Sequence, residues 1–123
     1  MKFQYIVFIL IAIFFSCASS GQNLLFKSGS DQAVIIKQYV VAAELGEDVV
    51  GNTRVIVTVD DVGLGIINKF LAKNINRDMD ILFGTKVISS SIPIRTDYFL
   101  KDIIIPFKDK KLAKEFYDVY GAP

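Results

Sequence analysis

An unbroken apolar run from Tyr5 to Phe15 follows the single cation Lys2, and a small, polar stretch from Ser16 to Gly21 follows it, interrupted only by Cys17. A bilayer-spanning helix needs roughly 20 apolar residues. The run is about half that, so residues 1–16 read as an export signal. Asn23 to Gln32 mixes a short apolar patch with Ser, Gly and Asp, which places a tether over 17–32 that enters the domain at Leu24 to Phe26. Ala33 to Ala43 is β-branched and aromatic and predicts a strand. Glu44 to Asn52, with two glycines and three acids, predicts a loop. From Thr53 to Asp60 the pattern alternates, with Val55, Val57 and Val59 on one side and Arg54, Ile56 and Thr58 on the other. Such alternation is a strand with one face on a core.

Helical spacing takes over after Asp60-Asp61, either of which can cap the helix. Leu64, Ile67, Phe70, Leu71 and Ile75 recur on one face, while Lys69, Lys73 and Arg77 lie outward near the C-terminal end. Gly63 and Gly65 weaken the first turns but permit close backbone packing. Met79 to Phe83, the turn Gly84-Thr85, and Lys86 to Ser89 predict a hairpin. Pro93 and Arg95 to Tyr98 break the pattern. Tyr98 to Phe107 then carries Ile103, Ile104 and Ile105, as a buried strand does. A last helix starts at Lys108 or Asp109, with Leu112, Ala113, Phe116, Tyr117 and Tyr120 on one face and Gly121 as a left-handed stop. Helices that need a sheet face to cover imply an α+β domain over 33–123, a two-layer sandwich of a small mixed or antiparallel sheet with two helices on one face.

Charge adds an exclusion. The chain has 14 Lys and Arg against 13 Asp and Glu, and without Lys2 the two signs balance. A nucleic-acid interface needs a basic patch or stripe, which a balanced surface does not offer. The lone cysteine, Cys17, rules out a disulfide within the chain. Its place at the end of the apolar run resembles the lipobox of bacterial lipoproteins, with Ser16 in the small position and Phe14 where an aliphatic residue is usual. Lipidation of Cys17, ordinary cleavage near Ala18 or Ser20, and an uncleaved anchor all fit the segment. A cysteine-free remainder favours lipidation, since exported domains that keep cysteines usually pair them. Membrane contact is then expected through lipid on Cys17, with the domain facing the periplasm.

The second half carries a family likeness. VIVTVDD opens a helix at Asp60-Asp61, NKFLAKNINRDMDILF leads into the hairpin, Lys86 to Ser89 reads KVIS, Asp102 to Phe107 reads DIIIPF, and KLAKEFYDVYGAP closes the chain. From Val55 to Pro123 this order resembles the periplasmic head domain of the export-channel subunits SecD and SecF. Gly84-Thr85 replaces the family's Asp-Gly turn, Ser91 replaces a Pro, and DIIIPF lacks the family's Gly. The resemblance implies a head-type α+β fold and a part in protein translocation. In SecD and SecF the chain runs on from this exit into the membrane channel, so a head without a motor is implied.

Little in the sequence suggests turnover. With no His, no His base, Cys–His pair or imidazole metal site can form. Gly63-Leu64-Gly65 lacks the lysine and the spacing of a phosphate loop. A Ser–Lys pair from Ser89, Ser90, Ser91 and Lys86 is the one nucleophilic option, and three serines edging a hairpin are its plainer reading. Asp60-Asp61 and Asp78 with Asp80 are the paired carboxylates. A hard cation takes 6–8 oxygens, so these read as a helix cap and a solvated strand face. Phe107, Phe116, Tyr117 and Tyr120 could line a peptide groove, yet at helical spacing they suit a core face. A free sheet edge remains, able to pair with an extended chain through its main chain. The expectation is a non-enzymatic binding domain without metal or small-molecule cofactor, whose partner is an exported polypeptide or envelope protein. The alternative is a structural envelope lipoprotein or inhibitor module that plugs one partner with the 89–101 loop.

Overall fold

The computed structural model describes residues 22–96, 99 and 101–121. The expected signal, Cys17, Tyr98 and the Ala-Pro exit lie outside the described residues. Among these residues seven strands and two α-helices follow in order: β1 Leu24–Ser28, β2 Asp31–Ile35, β3 Val40–Glu47, β4 Thr53–Val59, α1 Asp61–Lys73, β5 Asp78–Phe83, β6 Lys86–Pro93, β7 Asp102–Phe107 and α2 Lys110–Tyr120. The class is α+β, as the pattern implied. The strands form two antiparallel sheets, ordered β2-β1-β5-β6 and β3-β4-β7.

The segment expected as a tether is where the sequence reading departs most from the structure. Leu24 and Phe26 are completely buried, and β1 is an interior strand paired with both β2 and β5. Leu24, Phe26 and Ser28 point inward at every second residue, a period too short to stand out among the Ser and Gly that follow. The single strand expected over 33–43 is two strands. A short 3-10 turn at Lys37–Tyr39 carries the chain from one sheet to the other, and β3 continues to Glu47 through part of the expected loop. The remaining turn is held by Asp48, whose Oδ1 accepts from the amides of Val50 and Asn52.

The two helices start as their sequence suggests. Asp60 Oδ1 accepts from the Gly63 amide at 2.8 Å, and Asp109 Oδ1 accepts from those of Lys111 and Leu112. Each carboxylate satisfies donors that the first helical turn leaves free. Gly63 has a further role: a Cβ there would come within 3.1 Å of Tyr39 and 3.2 Å of Val59, so the 3-10 turn lies directly on the helix. Gly65 has open space around it. α1 ends at Lys73, and Asn74 closes it, donating to the Phe70 carbonyl and to Asp31 at the start of β2. Ile75, expected on the buried face, is exposed beyond that end. Gly121 is right-handed, with φ −88°, so the expected left-handed stop is absent.

α1 packs on β2 and β4, and α2 on β3, β4 and β7. The core joins both sheets through α2. Phe116 is wholly buried, its ring edge-on to Phe83 of β5 at 5.3 Å, stacked with Tyr120 at 4.6 Å and tilted against Phe107 of β7 at 5.6 Å. The Tyr120 hydroxyl accepts from the Leu24 amide at 2.7 Å and donates to the Ile35 carbonyl at 2.5 Å. Leu24 and Ile35 are opposite each other at the open end of the β1–β2 hairpin. One phenol therefore satisfies two buried main-chain groups, which would otherwise carry the full penalty of desolvation.

Candidate functional site

The residues weighed for chemistry are dispersed among structural tasks. Lys86 Nζ pairs with Glu115 at 2.9 Å, while Ser89 Oγ donates to the Pro106 carbonyl at 3.2 Å. Lys86 and Ser89 are thus each bound elsewhere rather than to one another. Asp60 is the α1 cap, and Asp61 pairs with Lys101 at 2.9 Å. That hydrogen bond raises the Lys101 pKa at an exposed position. Asp78 and Asp80 both lie on the exposed face of β5. Asp80 Oδ1 accepts from the amide of Ser91, a residue with φ 55° beside irregular β5–β6 pairing, so the carboxylate stabilises a bulge. Among the described residues, no three His, Cys, Asp or Glu side chains gather as a metal site would require. Phe107, Phe116 and Tyr120 are core residues, and Tyr117 is half-buried beside them.

The free sheet edge has a location. Hydrogen bonds alternate along the β4–β7 ladder, and the Val59 amide donates to the carbonyl of Lys101. Residues 103, 105 and 107 therefore exchange bonds with β4, whereas the main-chain groups of 102, 104 and 106 face away from it. Pro106, without an N–H, occupies one of these outward positions, as an edge strand allows. Its carbonyl meets Ser89 of β6, the edge strand of the other sheet. Among the described residues, Asp102 and Ile104 have no backbone partner on that side.

A trough runs where these two edges face each other. Its apolar part has a volume of about 350 Å³, with Met79 and Ile81 beneath, Ile92 on the β6 side, and Phe99, Ile103 and Ile104 on the other. A wider part, about 710 Å³, continues past Ser89, Ile104, Pro106 and Lys108 to Asp48, Asn52 and Arg54. Ile104 projects into the open with 57% of its surface exposed, although its neighbours Ile103 and Ile105 are buried. The sequence reading anticipated an edge but could not say which. The outward phase of Ile104 and Pro106 was the available signal, masked by the run of three isoleucines.

No family model and no curated protein matches the chain. Solved structures do, among them two of SecDF. One, described as a membrane component SecDF that enhances protein export, aligns with a TM-score of 0.59 and 19% identity, covering 72% of this chain and 41% of that one. The other, SecDF in a super-membrane-facing form, aligns with a TM-score of 0.64 and 14% identity, covering 84% of this chain and 19% of that one. This chain thus spans less than half the length of either neighbour. Residues 55–123 are 69 of the 123, so an alignment over 84% also takes in part of the chain ahead of Val55. The chain shares the fold of a part of SecDF, in agreement with the likeness to the SecD and SecF head seen from Val55 to Pro123.

Proposed function

We propose that this protein is a non-enzymatic binding domain of the cell envelope that holds extended polypeptide segments and has an accessory part in protein translocation. The trough between β6 and β7 carries the reading. It sets outward-facing main-chain groups of an edge strand beside an apolar floor, the two features that let a sheet edge accept a strand of varied sequence. The SecDF neighbours supply the link to export as a likeness of fold. No helix among the described residues is long and apolar enough to cross a membrane. Anchoring through lipid on Cys17, supported by the lipobox-like place of that residue after the apolar run, completes the proposal.

Two experiments test it. Ile104→Lys places a charge in the trough from an exposed position, so the melting temperature should hold while affinity for a set of unfolded peptides falls about tenfold or more. Peptide binding that is unaffected by Ile104→Lys would move the site elsewhere. For the anchor, Cys17→Ser should abolish fatty-acid incorporation and release the protein from membranes. A Cys17→Ser form processed and membrane-bound like the parent would contradict lipidation.

A further inference from the structure

The two parts of the trough share Ser89, Ile104, Pro106 and Lys108, so they form one continuous channel with unlike ends. Met79, Ile81, Ile92, Phe99 and Ile103 make one end apolar. Arg54 stands at the other, and Lys108 lines both parts. Nearby cations are already committed, Lys110 to Glu47 and Lys86 to Glu115, whereas Arg54 and Lys108 have no ion pair among the described residues. Asp48 shares this end, and its charge offsets one of the two cations. Its Oδ1 is turned into its own loop, bound to the amides of Val50 and Asn52. One positive charge is left over, carried on side chains that face the channel. At the far end of β7 stands Asp102, exposed, with its Oδ1 accepting from the Thr58 hydroxyl.

Building on the trough as a polypeptide site, we propose that it selects segments in which an apolar residue is followed, towards the C-terminus, by a carboxylate. The apolar side chain fills the pocket over Met79 and Ile81, and the carboxylate meets Arg54 and Lys108. β7 runs from Asp102 towards Lys108, so a segment bound this way runs alongside β7 in the same direction. The reverse orientation would set the carboxylate against Asp102, and like charges in contact discriminate between binding modes. An Asp or Glu side chain and a free C-terminus present the same chemistry at this end.

Fluorescence anisotropy with the purified protein tests this, using one apolar peptide in four versions. These are neutral and amidated, amidated with Asp after the apolar residue, neutral with a free C-terminus, and amidated with Lys in place of Asp. At low salt, at least one carboxylate version should bind about fivefold more tightly than the neutral peptide, and the Lys version more weakly. Which of the two gains identifies the source of the carboxylate. The gain should shrink at high salt and vanish in Arg54→Gln/Lys108→Gln, so that this variant binds the neutral and carboxylate versions alike. Equal binding of all four versions, or a gain that survives the double substitution, overturns the selection and leaves the trough a polypeptide site. Failure of every version to bind overturns both readings.

Discussion

Truncating Phe116 to alanine is expected to destabilise the domain by about 3–5 kcal/mol. The residue is completely buried and touches Phe83 of one sheet, Phe107 of the other and Tyr120 of its own helix. Its removal would open a cavity at the point where α2 fastens the two sheets together. A domain this small has a total stability of about 5–15 kcal/mol, so the variant should be largely or wholly unfolded in modest denaturant. Urea titration followed by circular dichroism measures the shift in midpoint. Phe70, 3% exposed on the buried face of α1, should behave alike. An unchanged midpoint for Phe116→Ala would mean that α2 does not bear on the sheets as described.

Tyr120→Phe should have a large effect of another kind. The ring would remain, but the Leu24 amide and the Ile35 carbonyl would each lose a partner in a site that water does not reach. The expected loss is about 2–4 kcal/mol, from two buried main-chain groups left unpaired. Burial also pushes the Tyr120 phenol up to about 12, against the hydrogen bond from Leu24, which acts the other way. The folded-state pKa lies above the unfolded value near 10, so this contribution is complete below pH 10. It is lost as pH rises from 10 through about 12. At 1.36 kcal/mol per pKa unit, about 3 kcal/mol disappears across that window. Stability measured against pH should show this alkaline loss in the parent and a flatter profile in Tyr120→Phe. Parallel profiles would show that the phenol ionises without disturbing the fold.

The readable parts of the sequence were those where one local rule acts alone. Thr53–Val59 alternates without a break, and Asp60 and Asp109 precede apolar residues at helical spacing, so β4 and both helix starts could be placed. The β5–β6 hairpin was visible through Gly84, whose φ of 64° the turn requires. β1 was hidden because one of its two partners is distant: Phe26 pairs with nearby Ala33 but also with Ile81, and no local pattern reports the second contact. The change of sheet at Lys37–Tyr39 was hidden because neither Gly nor Pro marks it. For the site, charge and residue content argued against acid–base and metal chemistry. The trough depends on the approach of β6 to β7, which is a property of the assembled fold. Ser89, a candidate nucleophile by residue type, uses its hydroxyl to join the two edges.

The central claim is that extended polypeptide binds between β6 and β7, and backbone amide NMR during titration with an unfolded exported polypeptide tests it most directly. The account predicts that the largest shifts, and new protection from hydrogen exchange, fall on Ile104 and Asp102 and on β6 from Ser89 to Ile92. The exposed opposite edge, β3, should be unchanged. Shifts centred on Val40–Glu47, or no shifts at saturating polypeptide, would contradict it.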